Sequence, residues 1–360
     1  MTQTKPAAVV VAPPFVGQIA GRVDDRLRNI LEAETQRWSK FEPDLAQPFQ
    51  ELSRLVLLGG KHLRSAFCFV GFVGAGGDPG DSRVIDAGAA LELMHAFALF
   101  HDDVMDGSAT RRGAPTTHTK STQQHEASDW AGESRRFGEG VAILVGDLAF
   151  VYADQLLVGA PPQVWSIWNE LRIELNIGQY LDLIGTAQRE RQRTKAERIS
   201  RYKSGKYTIE RPLHLGAMLA NPERSAKILT SLSDYGLPLG DAFQMRDDIL
   251  GAFGKTADTG KPVGDDLREG KPTPLLSIAI ALANDQQRKV LDLVGTTQLA
   301  DSQVADVQRV IIETGALAEL EGHIAKLTES ALAAARVALI TQDARDSLAE
   351  LANFVSWRDV

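Results

Sequence analysis

Asp102 and Asp106, in HDDVMDGSATRRG, are four residues apart, so on a helix their carboxylates share one face, with Asp103 one position round it. Stacked carboxylates repel one another unless a cation bridges them. Mg²⁺ suits such a pair, because it takes hard oxygen ligands and is usually completed by substrate phosphates. An isolated pair of this kind also fits a solvated acidic helix end. The run into it, 91–100, is almost wholly apolar, so these carboxylates emerge from a buried helix. A second cluster, FQMRDDILG, places Asp247 and Asp248 on another helix, with Gln244 three and four positions earlier on the same face. Two such clusters on largely apolar helices predict inward carboxylates that face each other across a bundle cavity.

Short basic motifs surround them. GGKHLRS gives Lys61 and Arg64, three apart after a Gly-Gly break. TRRGAPT gives Arg111 and Arg112 in a loop just past the first acidic cluster, and YKSGKYT gives Lys203 and Lys206. A glycine-rich loop carries Lys255, Lys261 and Lys271. Guanidinium forks and ammonium points are what diphosphates require, although each of these cations alone also fits an ordinary surface charge. His95 lies two turns before Asp102 on the same face and could hydrogen-bond a phosphate; a satisfied core histidine is the plainer reading of it alone. GAFGKT resembles a nucleotide phosphate loop, but Ile249 stands where that pattern needs its first glycine, so this chemistry is excluded.

The elements that hold these residues read as helices. No proline follows Pro274, and the earlier proline-free windows are rich in Ala, Leu, Glu, Gln and Arg. Alternating strand patterns are scarce. The stretches AGAALELMHAFALFHDD and GVAILVGDLAFVYADQLL are apolar nearly all round, as helices inside a bundle are. The expectation is an all-α protein: a flexible tail over 1–17, then a single large helical bundle over 18–360 with a central apolar cavity. The polar stretch 118–138 reads as a mobile surface loop.

Composition narrows the function classes. Hydrophobic residues make up 44% and charged residues 24%, within the globular range. The net charge of −8 excludes a general nucleic-acid binder, which needs a basic face. The single cysteine, Cys68, excludes an internal disulfide and a Cys-based zinc cluster, and agrees with a reducing cytoplasm. No segment reads as spanning a membrane, because the longest apolar stretches carry Glu92 and Asp147 and fall short of roughly 20 residues. The first residues read as a loose tail rather than a signal peptide.

Taken in order, the motifs resemble those of the trans-isoprenyl diphosphate synthases, the polyprenyl synthetase family, over residues 59–273, and most closely a geranylgeranyl diphosphate synthase. GGKHLR resembles the family's GGKxxR. HDDVMDGSATRRGAPT and FQMRDDILG resemble its two aspartate-rich motifs, and KSG its Lys-Thr step with Ser204 in place of threonine. The resemblance implies a Mg²⁺-dependent prenyltransferase that condenses isopentenyl diphosphate with allylic diphosphates. It implies that Lys61, Arg64, His95 and Arg112 hold the isopentenyl diphosphate. Arg111, Lys203, Ser204, Gln244, Lys261 and Lys271 would surround the allylic diphosphate. Asp102, Asp106 and Asp247 would be the main metal ligands, with Asp103 and Asp248 supporting, and Lys203 joins these aspartates in the catalytic set. Gln179 and Asp182 would line the reacting end of the allylic chain. Gly251 departs from the pattern, since many relatives have aspartate there. With two diphosphates of about −3 each and the five aspartates, the seven basic residues leave the site near −4, which two Mg²⁺ would neutralise and three would turn slightly positive. A homodimer is implied as well.

In this family the residues before the first motif set product length. Phe97 lies five positions before Asp102, about 7.5 Å along a helix axis, and Ala98 beside it is small. That pattern implies a twenty-carbon geranylgeranyl product, with fifteen-carbon farnesyl diphosphate as the alternative. A class I terpene cyclase shares the DDxxD but needs neither GGKxxR nor the Arg-Arg pair. A non-catalytic subunit of a prenyl synthase pair usually loses aspartates that this chain keeps.

Overall fold

The structure, a computed structural model, describes residues 11–223, 225–254, 263–296 and 299–358. It is 79% helical, as the sequence predicts for an all-α chain. The chain divides into two compact units.

One unit comprises Pro14–Phe69 and Asp78–Pro161. It holds α1 (Pro14–Ser39), α2 (Ala46–Leu57), the start of α3 (Leu63–Gly74) and α4 (Ser82–Asp106). A two-stranded hairpin follows, β1 (Thr110–Arg111) with β2 (Ala114–Pro115), then α5 (Thr117–Ala127) and α6 (Ser134–Leu156). Helix α4 starts where Asp81 caps it, its side chain accepting from Arg83 N at 2.8 Å. Its Ala, Leu and Met positions are buried on nearly every side, including Ala87, Ala89, Leu91, Leu93 and Met94. By length and composition α4 is apolar enough to cross a membrane, but most of its apolar window is buried inside the protein.

The second unit is built from Val70–Gly77 and from the chain beyond Pro162. Its elements are α7 (Pro162–Ala187), α8 (Arg193–Ser200), a π-helical segment (Arg201–Glu210), α9 (Arg211–Ala220) and α10 (Ser225–Phe253). Then come α11 (Asp265–Glu269), α12 (Pro274–Leu282), α13 (Asp285–Leu291), α14 (Asp301–Glu313), α15 (Ala316–Val337) and α16 (Gln342–Trp357). Leu275, Leu276, Val307, Ile311, Leu320 and Ile324 form part of its core around α10, each 1% exposed or less. Burying one such side chain contributes about 1.5–3 kcal/mol.

Three expectations are corrected. Helix α1 begins at Pro14, and Val16 is buried, so residues 14–17, expected in the tail, are helix, while residues 1–10 lie outside the described residues. The stretch 118–138 is not a loop: most of it is α5 and the start of α6. Its buried stripe, Thr117, Ser121 and His125, is polar, so no apolar period marks it. Beneath that stripe Glu51 of α2 is buried, accepting from Thr117 Oγ1 at 3.1 Å and from Arg54 and Lys120. Third, the loop expected to carry Arg111 and Arg112 is a β-hairpin, with Arg111 on β1 and Arg112 in the turn.

Candidate active site

Asp102, Asp103 and Asp106 occupy the last turn of α4. Gly107 ends the helix in the left-handed conformation (φ 66°), which turns the chain back on itself. The hairpin turn that follows uses positive φ at both central residues, Arg112 (52°) and Gly113 (75°), as tight hairpins require. This fold-back sends the two adjacent arginines to different partners. Arg111 Nε donates to Asp103 Oδ1 at 2.7 Å, and its Nη2 lies 3.4 Å from Asp102 Oδ2. Burial works against the Arg111 charge, but Asp103, Asp102 and Asp106 outweigh it and hold its pKa above the usual value. Arg112 instead donates to Leu55 O at 3.2 Å and to Gly59 O.

Gly59 belongs to the Gly-Gly break before α3, which itself needs a positive φ of 86°. A cavity of about 20 Å³, the size of one water, is lined by Gly59, Gly60, His62, Glu92, His95 and Arg112. His95 has a pKa pushed well below the ordinary histidine value, first by burial and then by the charges of Arg64, Arg112, Arg111 and His62. Arg112 is shifted the same way, by burial and by Arg111. Cations crowded together in this way favour an anion among them. The neutral His95 ring still carries one N–H to donate. Arg64, His95, Arg111 and Arg112 are thus one electrostatic cluster; Lys61 lies on the same loop and is exposed.

Phe97 packs at a tilt against His101, with ring centroids 4.5 Å apart, and against Phe150 of α6, at 4.9 Å. Ala98 beside it is half-buried. Phe150 is not marked in the sequence as a partner of Phe97, because it lies 53 positions beyond it. Gly146, one turn earlier on α6, has no side chain to meet His101, whose ring a Cβ there would approach to 2.5 Å.

In the second unit, α10 carries Gln244, Asp247, Asp248 and Gly251. Gln244 Nε2 donates to Asp248 Oδ1 at 2.9 Å, the helical spacing expected of them. Asp248 is 4% exposed, and its Oδ2 has no hydrogen-bond partner among the described residues. Burial pushes its pKa well up against the opposing bond from Gln244, and the charges of Asp266, Asp247 and Asp182 push it further. Asp247 pairs with Arg358, whose guanidinium is 2% exposed. Lys203 donates to Asp182 Oδ2 at 2.6 Å. Gln179 lies one turn before Asp182 on α7 and is half-buried, and Ser204 is half-buried beside Lys203.

The π-helical segment that carries Lys203 is packed backbone to backbone. A Cβ on Gly178 would lie 2.3 Å from Lys203 N, and one on Gly240 would lie 2.8 Å from Gly205 O. Lys206 is turned away to the buried Glu174, which also takes Arg211 through a fork at 2.6 and 2.7 Å; Lys206 therefore secures the segment. Lys271 lies 2.5 Å from Glu269 and 3.6 Å from Asp266. Lys255 and Lys261 lie outside the described residues.

The donor set fits a hard divalent cation. Buried carboxylates with an unshared oxygen at Asp248 call for a positive charge. Among the described residues no three His, Cys, Asp or Glu side chains converge to cage a metal alone. Mg²⁺ needs no such cage, because substrate phosphates usually complete its shell.

Comparison with known proteins follows the same lines. The sequence profile described as polyprenyl synthetase matches residues 46–312. A geranylgeranyl diphosphate synthase of Mycobacterium tuberculosis is 34% identical over 258 residues, 69% of this chain and 66% of that protein. One from Sulfolobus acidocaldarius is 32% identical over 77% of each chain. The crystal structure of a geranylgeranyl pyrophosphate synthase from Corynebacterium glutamicum, complexed with isoprenyl diphosphate and magnesium, is 36% identical. It covers 95% of this chain and 99% of its own, with a TM-score of 0.89. With the ordered motifs on their helices and the profile spanning most of its length, this chain belongs to the polyprenyl synthetase family.

Proposed function

We propose that the chain is a Mg²⁺-dependent prenyltransferase that condenses isopentenyl diphosphate with allylic diphosphates to give all-trans geranylgeranyl diphosphate. The observation that carries this reading is the cluster of Arg64, Arg111 and Arg112 around a neutral His95. A terpene cyclase binds one diphosphate and has no use for this second anion site beside an aspartate motif. The names of the relatives and the magnesium and isoprenyl diphosphate of the Corynebacterium structure support the same class of reaction.

In this reading Arg64, Arg112 and the His95 N–H hold the isopentenyl diphosphate, with Lys61 at the loop edge. Arg111, Lys203, Ser204, Gln244, Lys261 and Lys271 hold the allylic diphosphate. Arg111 also keeps Asp102 and Asp103 in place, and Asp182 aims Lys203 through its 2.6 Å contact. Asp102, Asp103, Asp106, Asp247 and Asp248 are the metal-binding carboxylates. Two or three bound Mg²⁺ would supply charge neutralisation of the departing diphosphate. The basic groups stabilise that leaving group, and the apolar helix faces shield the allylic cation from water until the isopentenyl double bond attacks it; the new cation then loses a proton to the released diphosphate, leaving the product's double bond. The Phe97 and Phe150 rings form the floor that stops growth at twenty carbons.

From α1 onward the chain acts as one catalytic domain in the cytoplasm. Two copies pair through apolar stripes exposed on α6, where Phe137, Leu144 and Val151 recur every seven residues, and on α7, where Ile173, Ile177 and Tyr180 are exposed. Light scattering on the purified chain tests the pairing.

The deciding experiment incubates purified protein with Mg²⁺, isopentenyl diphosphate and each allylic starter, with product mass read by mass spectrometry. A twenty-carbon diphosphate that disappears with chelator is the expected result. Hydrocarbon from an allylic diphosphate alone would make it a cyclase, and no turnover would make it a non-catalytic subunit. A fifteen-carbon end product would move the floor closer to Asp102.

A further inference from the structure

Gly251 stands in α10 three residues after Asp248, with ordinary helical backbone. A Cβ built on it would fall 1.8 Å from Asp266 Oδ2 and 2.5 Å from Asp266 Cγ. The Asp266 carboxylate therefore fills the volume that a side chain at 251 would need. Asp266 belongs to the short helix α11, which is entered at Gly264 (φ 70°) and left at Gly270 (φ 74°). Its backbone carbonyl closes that turn by accepting from Gly270 N and Lys271 N, both at 3.1 Å. Its side chain is not used there, and lies instead against α10.

We propose that Asp266 supplies the third carboxylate of the second aspartate cluster, in the place that the motif leaves to Gly251, and that it holds a divalent cation together with Asp248. The proposal rests on reading the second aspartate motif as metal-binding. Two observations carry it. The first is the coincidence of the Asp266 carboxylate with the space of the missing side chain. The second is Asp248 Oδ2, buried and without a hydrogen-bond partner among the described residues. Among the described residues, Arg358 takes Asp247, and Lys271 sits nearer Glu269 (2.5 Å) than Asp266 (3.6 Å).

The test measures equilibrium binding of Mn²⁺ in the presence of inorganic diphosphate, by electron paramagnetic resonance of the free ion. It compares the unsubstituted chain with Asp266→Asn, Asp248→Asn, Gly251→Asp, and the exchange Gly251→Asp with Asp266→Ser. Circular dichroism confirms that each variant is folded. Asp266→Asn should weaken Mn²⁺ about tenfold or more, as loss of a metal-site carboxylate or its support does. The exchange, which returns a carboxylate from α10 and clears room for it, should recover most of that loss. Gly251→Asp alone, crowded by Asp266, should not tighten binding. If Asp266→Asn binds like the unsubstituted chain while Asp248→Asn is weakened, the role of Asp266 is refuted and the motif reading stands. If both bind unchanged, the motif reading itself fails. An exchange variant as weak as Asp266→Asn would also refute the proposal, since position would then not be what matters.

Discussion

The Arg358 guanidinium closes on the Asp247 carboxylate from 111 positions away in the chain. It is 2% exposed, lies 4.3 Å above the Phe243 ring, and follows a segment that Arg246 grips at Ser356 O (2.8 Å). Arg246 is itself fixed by a fork to Glu321 at 2.8 and 2.7 Å. The end of α16 is thus fastened to the second aspartate motif at two neighbouring residues. A divalent cation that uses Asp247 must compete with Arg358. Replacing Arg358 by Gln should therefore tighten Mg²⁺ binding about three- to fivefold, a modest gain because Asp247 is 41% exposed and partly screened. Calorimetric titration of Mg²⁺ with inorganic diphosphate present checks this; unchanged or weaker binding would show that Arg358 does not compete.

Product length should respond to the aromatic pair rather than to one ring. Phe97→Ala removes a ring that Phe150 and His101 both touch, and Phe150→Ala removes its backing from α6. Each single variant should shift the product mass upward by at least one five-carbon unit, and the double variant further. If Phe150→Ala leaves the product mass distribution of the unsubstituted chain, the floor does not include α6.

The aspartate and Gly-Gly motifs were legible because their chemistry lies in adjacent residues. Asp102 and Asp106, or Gln244 and Asp248, are brought together by helix geometry alone. What the sequence concealed depends on partners far away. Phe150, Asp266 and Arg358 lie beside Phe97, Gly251 and Asp247 across 53, 15 and 111 positions, with no local period to mark them. Helix α5 was hidden for another reason, since the residues it buries, Thr117, Ser121 and His125, are polar, with Thr117 donating to Glu51, so polar composition suggested a loop. Gly251 looked like a lost carboxylate, because a sequence shows the vacancy and not the Asp266 side chain beside it.

Arg112 offers a test of the anion cluster. Its positive φ is compatible with Lys, but a single ammonium cannot reach Leu55 O and Gly59 O while also facing an anion near His95. Arg112→Lys should raise KM for isopentenyl diphosphate about tenfold, equivalent to about 1.4 kcal/mol, with KM for the allylic diphosphate little changed. Equal rises for both substrates would argue that Arg112 supports the hairpin rather than one diphosphate.

Acid stability should be set in part by His214, far from the aspartates in sequence and buried in the network that secures the π-helical segment. Its Nε2 donates to Leu229 O at 3.1 Å, and its Nδ1 faces Arg211 Nη1 at 3.5 Å, an arrangement for neutral imidazole. Burial, and then the Arg211 charge, push its pKa down to about 4. The unfolded chain takes up this proton near pH 6.5 and the folded chain only near pH 4, so folding stability falls as pH drops through that window. The loss attributable to His214 should reach about 3 kcal/mol, and nothing is lost above pH 6.5. His214→Gln keeps a donor for Leu229 O without the titration. Its denaturant midpoint should therefore change less between pH 7 and pH 4.5 than that of the unsubstituted chain; parallel curves would assign the acid sensitivity to other groups.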